Sequence, residues 1–213
     1  MKFYVFVNPK DVKREGVTDF LPGDPFNTGR LPDALRCEVC GELMGNLSWL
    51  PPYKAELEFW GKEAGDVAFR TAEGFLVSHR FKELYEKTDL KGLSGFIKVE
   101  IIKIKRHKRK YPEIIPDYYY VRVPISHAKL DFEASGVVFT GEFICEGCKS
   151  GKGIYKLIER VILEEGTWSG EDIFIARGLW GDFLTTERFK DFYISNSFKN
   201  GEFMEADNFS FFG

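Results

Sequence analysis

The residues of this chain best suited to chemistry are its four cysteines, which form two Cys-x-x-Cys pairs. The first pair is Cys37 and Cys40, and the second is Cys145 and Cys148, each 108 positions after its counterpart. A Cys-x-x-Cys turn, or knuckle, brings two thiolates to one side of a tight loop, and two knuckles supply the four ligands of a tetrahedral zinc with Zn–S bonds of about 2.3 Å. Four thiolates leave no coordination position open for a substrate. The pattern therefore predicts one structural Zn²⁺ bound by Cys37, Cys40, Cys145 and Cys148.

Other uses of paired cysteines stay open at this stage. The interval between the pairs is longer than in compact zinc ribbons. A thioredoxin-like redox pair begins a helix after a strand, and neither flanking sequence has that pattern. An iron–sulfur cluster could use four cysteines, whereas buried free thiols, common individually, would not explain two matched pairs. We rank zinc first, a site that has lost its metal second and a redox role third.

The chain is also internally similar beyond the cysteines. Residues 75–85 align without a gap to residues 183–193, and six of the eleven pairs are identical. Self-similarity at a fixed offset is typical of duplicated architectures. We therefore predict an α+β fold in which residues 1–213 form one compact unit of two repeats, about 1–112 and 113–213, joined by the zinc site.

Each predicted repeat has the order strand, cysteine knuckle, strands, short helix, strand. Ser78 and Thr186 are suited to begin the two helices, because an N-cap hydroxyl accepts a hydrogen bond from a backbone N–H of the first turn. Apolar residues recur at i, i+3 and i+4 in both helices and predict a stripe that faces the core, made of Phe81, Leu84, Tyr85, Phe189, Phe192 and Tyr193. The predicted strands cover residues 2–7, 54–60, 67–69 and 95–105, and then about 117–123, 161–168, 173–175 and 202–206.

The composition is typical of a protein with a full hydrophobic core. Of the 213 residues, 44% are hydrophobic and 21 are Phe, which favours aromatic packing. No apolar run reaches the roughly 18 residues that cross a bilayer, and segment 1–7 is too short for a secretory signal. We therefore predict a cytoplasmic protein, in which paired cysteines are more often metal ligands or redox groups than disulfides. The net charge of −3 indicates no general attraction to nucleic acid.

One basic run offers the main alternative function. It lies within residues 103–110 and consists of Lys103, Lys105, Arg106, His107, Lys108, Arg109 and Lys110. Tyrosines at 118–120 follow nearby, and basic and aromatic residues together suit nucleic acid. The alternative is therefore a zinc-ribbon-type nucleic-acid-binding module. The run also lies between a predicted strand end and the connection of the repeats, where solvated charge is expected, and we favour that explanation.

No set of residues in the sequence predicts catalysis. The chain has no Walker loop, no Gly-x-Ser-x-Gly and no His-Glu-x-x-His motif. Asp172, Asp182 and Glu187 could line a cleft, but acidic residues near a helix N-terminus also complement the helix dipole. We therefore predict that the protein is not an enzyme, with an enzyme that carries a structural zinc as a weaker third option.

The two cysteine motifs and the segments 172–174, 178–180 and 186–191 together resemble the double-CXXCG-motif family of bacteria. The resemblance covers nearly the whole chain, and the C-terminal part is also similar to bacterial immunity domains that end in an [ST]-E-R-F-K helix. Family members are linked with immunity to swarming-associated, contact-delivered toxins in myxobacteria. Position by position, the resemblance implies only the four cysteines as metal ligands. The second motif departs from the family pattern, because Lys149 follows Cys148 where the full motif has Gly.

The resemblance implies a zinc-stabilised immunity protein that binds a cognate protein toxin and blocks it. Stable interfaces of this kind bury about 1,600 Å² in total, which a protein of this size can supply. Trp49, Tyr53 and Trp180 are candidate anchors, because Trp and Tyr dominate interface hot spots, but we favour a core position for each of them. We expect neither a membrane nor a nucleic acid as a partner.

Overall fold

The computed structural model describes residues 1–9, 17–22, 35–45, 47–69, 73–107 and 112–212. Within these ranges the chain is rich in strands and has two short helices, so the predicted α+β class is confirmed. Neither helix is long and apolar enough to span a bilayer. The predicted core stripe is also confirmed: Phe81 and Phe189 are fully buried and Tyr85 and Tyr193 nearly so.

The described elements are numbered in chain order. The strands are β1 (Phe3–Val7), β2 (Val17–Pro22), β3 (Lys54–Trp60), β4 (Val67–Ala68), β5 (Gly74–Ser78), β6 (Ser94–Lys98), β7 (Glu100–His107), β8 (Tyr118–Arg122), β9 (Ile125–Lys129), β10 (Val138–Cys145), β11 (Ser150–Ile158), β12 (Ile173–Arg177), β13 (Phe183–Thr186), β14 (Glu202–Glu205) and β15 (Phe211–Phe212). The helices are α1 (His79–Tyr85), which follows β5, and α2 (Glu187–Ser195), which follows β13.

Two sheets with similar strand order carry the two helices. One has the order β14-β1-β13-β12-β9, and the other has the order β4-β5-β8-β6. The N-terminal strand β1 lies between β13 and β14, both from the C-terminal half of the chain. Strand β8, just past the middle of the chain, lies between β5 and β6, both from the N-terminal half. Each sheet is therefore completed by a strand from the other half of the sequence.

Two three-stranded sheets lie beyond this pair. The first, β2-β3-β7, packs Phe20, Leu57 and Phe59 into a cluster with Trp49 and Tyr120. The second, β10-β11-β15, contains a long antiparallel hairpin in which Cys145 is paired with Ser150 at its closed end. The cysteine knuckles are connected to these outer sheets, because one follows β2 and precedes β3 and the other lies between β10 and β11.

Both helices begin as the sequence predicts. The Ser78 hydroxyl accepts the Phe81 N–H at 3.2 Å, and the Thr186 hydroxyl accepts the Phe189 N–H at 3.5 Å. The helices pack on each other through aromatic rings, with 5.6 Å between the ring centroids of Phe81 and Phe192. Edge-to-face pairs of this kind add to the free energy of burying the rings.

Asp66 fixes the N-terminus of α1 to the loop that follows α2. Its carboxylate accepts hydrogen bonds from the Ser78 hydroxyl at 2.8 Å, from Arg80 Nη2 at 2.9 Å and from the Lys199 backbone N–H at 3.0 Å. Its own backbone N–H donates to the Lys199 carbonyl at 2.9 Å. Because a buried carboxylate is stable only when it is fully hydrogen-bonded, this contact holds the two halves in one register.

Asp172 makes the equivalent contact at the N-terminus of α2. It accepts the Thr186 hydroxyl at 2.7 Å, the Lys91 backbone N–H at 3.0 Å and Arg188 Nη1 at 3.4 Å. Its backbone N–H donates to the Lys91 carbonyl at 2.7 Å. The loop after each helix therefore binds an aspartate from the opposite half of the chain. Asp172, one of the three acids considered as possible cleft residues, is a buried structural group.

Two of the strand predictions need correction. Residues 161–168 do not form a strand: only Leu163 makes an isolated bridge, to Leu130, and Gly166 has a left-handed φ of 74°. The apolar residues of this segment recur because they pack on the hydrophobic cluster that contains Val5 and Phe174. The predicted strand 95–105 is two strands, β6 and β7, because at Val99 the chain leaves one sheet and joins another.

Candidate metal centre

The first knuckle is a tight turn closed by its own backbone. The Gly41 N–H donates to the Cys37 carbonyl at 2.8 Å, and the Cys37 N–H donates to the Glu42 carbonyl at 2.9 Å. Gly41 has a φ of 74°, in the left-handed region that glycine adopts without steric strain. The turn points the sulfurs of Cys37 and Cys40 to the same side.

The second knuckle has the same backbone arrangement with a different closing residue. The Lys149 N–H donates to the Cys145 carbonyl at 2.7 Å, and Lys149 has a left-handed φ of 54°. Lys149 therefore takes the conformation that Gly41 takes in the first knuckle. The departure from the Cys-x-x-Cys-Gly pattern changes the residue and preserves the turn.

The four sulfurs form one cluster between the knuckles. The Sγ atoms of Cys37 and Cys145 are 3.7 Å apart, as are those of Cys40 and Cys148, and all four lie within 4.8 Å of one another. In a tetrahedral zinc site with Zn–S bonds of about 2.3 Å, the ligand sulfurs are about 3.8 Å apart. The donor set and its spacing therefore fit one tetrahedral metal ion. Among the described residues, this is the one cluster of His, Cys, Asp or Glu side chains close enough to hold such an ion.

The cysteine site is largely closed to solvent. Cys37, Cys145 and Cys148 are at most 4% exposed, whereas Cys40 is half-buried. Met44 packs beside the sulfurs, together with the partly buried Ile125 and Trp180. This apolar shell shields thiolates from water, and with the four-ligand geometry it is typical of a structural site.

The two knuckles face each other at close range through Gly147. A Cβ atom at this position would lie 2.6 Å from Val39 Cγ2 and 3.0 Å from Cys37 Sγ. A side chain here would require Val39 to move or the knuckles to shift apart. The glycine inside the second motif therefore favours the close approach that brings the sulfurs together.

Arg177, at the end of β12, fixes the second knuckle to the sheet. Its Nη1 donates to the Gly147 carbonyl at 2.8 Å, and its Nε donates to the Ser126 carbonyl at 3.1 Å. The guanidinium also contacts His127 Nδ1 at 3.0 Å. This is an outer-shell contact of the kind that orients metal ligands.

Lys149 is held by two carboxylates. Its Nζ lies 2.6 Å from Glu146 Oε2 and 2.5 Å from Glu164 Oε1, and its side chain is only 7% exposed. The Tyr155 hydroxyl donates to the Lys149 carbonyl. These contacts explain how a non-glycine residue is kept in a left-handed conformation that costs about 1–2 kcal/mol.

The thiols have very different affinities for protons in the folded chain. Burial raises the pKa of Cys148 to about 12. For Cys37, burial alone would raise the pKa. Hydrogen bonds from the backbone N–H groups of Cys40 and Val39 stabilise the thiolate more strongly, so the net effect is to lower the pKa of Cys37 to about 7. Four sulfurs this close cannot all ionise without a cation, because each thiolate opposes the next. A bound divalent metal would supply that cation and hold all four as thiolates.

The structure brings the four predicted ligands together, but it places other predicted residues elsewhere. Trp49 is 4% exposed and packs on Tyr53 and Tyr120, so it is a core residue, as favoured from the sequence, and not a surface anchor. Tyr53 is half-buried beside it, and half-buried Trp180 packs against the cysteine site.

Two lysines of the basic run are paired with acids. Lys103 lies 3.1 Å from a Glu56 carboxylate oxygen, and Lys105 lies 2.8 Å from Glu58. Both acids lie on β3, which pairs in parallel with β7. Lys108, Arg109 and Lys110 lie outside the described residues.

The cysteine spacing gave no sign of the two aspartates that join the halves or of the arginine that supports the second knuckle. Asp66 and Asp172 differ by two positions from the offset of the cysteines, because 12 residues separate Asp66 from Ser78 and 14 separate Asp172 from Thr186. The aligned segments have an arginine at the same position, Arg80 and Arg188, and each arginine binds one of these aspartates. This repeated arginine was the available sequence signal for both aspartates. Nothing in the sequence marks Arg177 as a support for the second knuckle.

The chain matches no protein-family model, and a search of curated proteins finds no match.

Proposed function

We propose that Cys37, Cys40, Cys145 and Cys148 bind one structural Zn²⁺ that joins the two halves of the chain. The carrying observation is the spacing of the sulfurs, which matches the edge of a zinc tetrahedron. When bound, the ion supplies charge neutralisation and a cross-link, and its four sulfur ligands leave no open position for catalysis. The protein's own residues close the knuckles, exclude water and fix the second knuckle through Arg177.

We further propose that the chain is an internal duplication, with repeats of about 1–112 and 113–213. Three structural correspondences support it. Each contacting sulfur pair joins residues 108 positions apart. Both knuckles close with a left-handed residue, Gly41 or Lys149, again 108 positions apart in the sequence. The loops that bind the aspartates centre on Lys91 and Lys199, which have the same offset.

The strand pairing extends this correspondence. Strand β1 lies beside β13 and β14 as β8 lies beside β5 and β6. The opening strand of each proposed repeat would thus complete the sheet of the other repeat. Such an exchange makes both repeats part of one folding unit, which supports a single compact domain over residues 1–213.

For the biological role we propose a binding protein of the bacterial immunity class, which neutralises a toxin domain by covering its active surface. The support is the motif resemblance, together with a cysteine site whose ligands leave no catalytic position. The cytoplasm, where such a toxin would be met, stays a prediction.

The test of this role is a co-expression experiment in bacteria. The candidate toxin is the product of the gene adjacent to this one, expressed from an inducible promoter with and without this chain. We expect growth arrest by the toxin domain alone, rescue when this chain is present, and a complex that co-purifies. Growth arrest that this chain does not relieve would contradict the role.

The nucleic-acid alternative receives less support from the structure. Lys103 and Lys105 are paired with glutamates, so much of their charge is already neutralised within the protein. Fluorescence anisotropy with labelled DNA and RNA at increasing salt separates the two functions, because affinity that falls steeply with salt would support this alternative.

A further inference from the structure

We propose that the cysteine site is also an oxidation-sensitive lock. In this proposal, hydrogen peroxide converts the four thiolates into two disulfides that cross between the knuckles, Cys40–Cys148 and Cys37–Cys145, and the metal is expelled. The inference rests on the metal site proposed above and adds a regulation to it.

Two sulfur contacts that cross between the knuckles make this pairing accessible within a cluster whose four sulfurs all lie within 4.8 Å of one another. Both contacts of 3.7 Å join a cysteine of one knuckle to a cysteine of the other. A disulfide bond is about 2.05 Å long, so each of these pairs closes by less than about 2 Å. The absence of a side chain at Gly147 lets the knuckles approach, since a Cβ there would lie 3.0 Å from Cys37 Sγ.

The order of reaction follows from exposure. Cys40 is half-buried, whereas the other three cysteines are at most 4% exposed. Oxidants react first with an accessible thiolate that has a second thiol nearby to resolve it. Cys40 is therefore the site of attack, and Cys148 is the resolving residue.

The chemistry balances with two equivalents of peroxide. The first oxidises the Cys40 thiolate to a sulfenic acid as the O–O bond breaks, and the hydroxide that is released takes up a proton and leaves as water. The Cys148 thiolate then forms the S–S bond and displaces hydroxide, which takes up a proton. The metal thereby loses two of its four thiolate ligands. A second peroxide then oxidises Cys37 and Cys145 in the same way. In total, one Zn²⁺ with its four thiolate ligands, two peroxides and four protons give two disulfides, four waters and one released Zn²⁺.

The consequence is a covalent replacement for the metal. Each cross-knuckle disulfide would join residues 108 positions apart, so both halves stay connected after the ion leaves. Disulfides within a knuckle would release the metal equally well but would leave the two knuckles without a covalent cross-link. The pairing therefore decides whether oxidation preserves or loosens the fold.

The experiment treats the reduced, metal-loaded protein with hydrogen peroxide and follows three readouts. A chromogenic chelator measures the zinc that is released. Acid quenching and alkylation, followed by peptide mass mapping, identify the disulfides. On a non-reducing gel, a disulfide that closes a large loop makes the chain migrate faster. We expect one zinc released per chain, Cys40–Cys148 before Cys37–Cys145, faster migration, and full reversal by a dithiol with added zinc.

Control variants separate the two disulfides. In Cys37→Ser the Cys40–Cys148 bond should still form, whereas in Cys40→Ser the fast first step should be lost. Because each substitution removes a proposed metal ligand and lowers the stability of the fold, the wild-type mapping is the deciding result. Predominant bonds within a knuckle, or sulfinic acids without disulfides, would overturn the proposal.

The result also separates this proposal from the metal site itself. Metal content is measured before oxidant is added. If the reduced protein contains no metal, the proposed zinc site fails together with the expulsion step. If metal is present and oxidation yields pairs within a knuckle, the zinc site stands and only the lock is wrong.

Discussion

At the scale of single residues, Lys149 shows how a non-glycine residue can close a cysteine knuckle. It has the left-handed conformation of Gly41, and its ammonium group binds Glu146 and Glu164. Two opposing effects therefore act at this position. The ion pairs stabilise the lysine, whereas its Cβ makes the backbone conformation unfavourable.

Two substitutions at Lys149 separate these effects. Lys149→Ala and Lys149→Gly both remove the ammonium group, but only glycine relieves the left-handed strain. We expect the glycine variant to be more stable than the alanine variant by about 1 kcal/mol. Urea denaturation of both zinc-loaded variants measures the difference. Equal free energies of unfolding would show that the left-handed conformation is not strained.

Asp182 gives the fold a pH dependence at the same scale. Burial raises the pKa of its carboxyl group from 3.8 to about 6. The folded chain therefore keeps a proton between about pH 4 and pH 6 that the unfolded chain has lost, so this group makes stability fall as pH rises through that window. Above pH 6 its contribution is constant and unfavourable.

Replacing Asp182 with Asn should remove this effect. At pH 7.5 we expect the variant to be more stable than wild type by about 2 kcal/mol, with the gain shrinking towards pH 4. Chemical denaturation at several pH values between 4 and 8 measures it. A variant no more stable than wild type at pH 7.5 would show that the carboxylate is well solvated or paired.

At the scale of elements, the two aspartates fasten each helix to the loop of the opposite half. Asp172 is 2% exposed and accepts hydrogen bonds from a side-chain hydroxyl, a guanidinium and a backbone N–H. Removing the carboxylate would leave these donors buried without an acceptor. Such a loss costs about 1–3 kcal/mol or more when charged groups are involved.

We therefore expect Asp172→Ala to lower the free energy of unfolding by about 3 kcal/mol. The matched control is Asp191→Ala on the exposed side of α2, which should change it by less than about 0.5 kcal/mol. Urea denaturation of both variants provides the comparison. Equal effects of the two substitutions would contradict the role of Asp172 in joining the halves.

The sequence predicts the local features of this fold better than its long-range pairing. Helix caps at Ser78 and Thr186 and the stripe around Phe81 depend on spacing within a few residues, and they are confirmed. The insertion of β1 between β13 and β14 is different, because buried strands carry no signal of which partner they choose. Periodicity also gave a wrong strand at 161–168, where apolar residues pack on a cluster without forming a ladder.

The site shows the same division between what spacing reveals and what it does not. The matched offset of the cysteines was sufficient to predict that they meet, and their sulfurs do. The supports around them, Arg177 and the ion pairs of Lys149, depend on tertiary contacts between separate elements. No local pattern encodes such contacts.

At the scale of the whole molecule, the proposed zinc would join the halves that the strands and the aspartates already interlock. Its removal should therefore destabilise the whole domain in one step. At free zinc a thousandfold above the dissociation constant, the ion contributes about 4 kcal/mol, which corresponds to a fall in melting temperature of roughly 10 °C on chelation. Calorimetry before and after treatment with a chelator, and again after zinc is restored, measures this shift. An unchanged melting curve would contradict a structural metal.

The most direct test of the central claim is zinc X-ray absorption spectroscopy of the purified, reduced protein, with elemental analysis of the same sample. We predict one zinc per chain, surrounded by four sulfur atoms at about 2.3 Å. A chain without metal, or a zinc with nitrogen or oxygen ligands in place of some sulfurs, would contradict a site shared by Cys37, Cys40, Cys145 and Cys148.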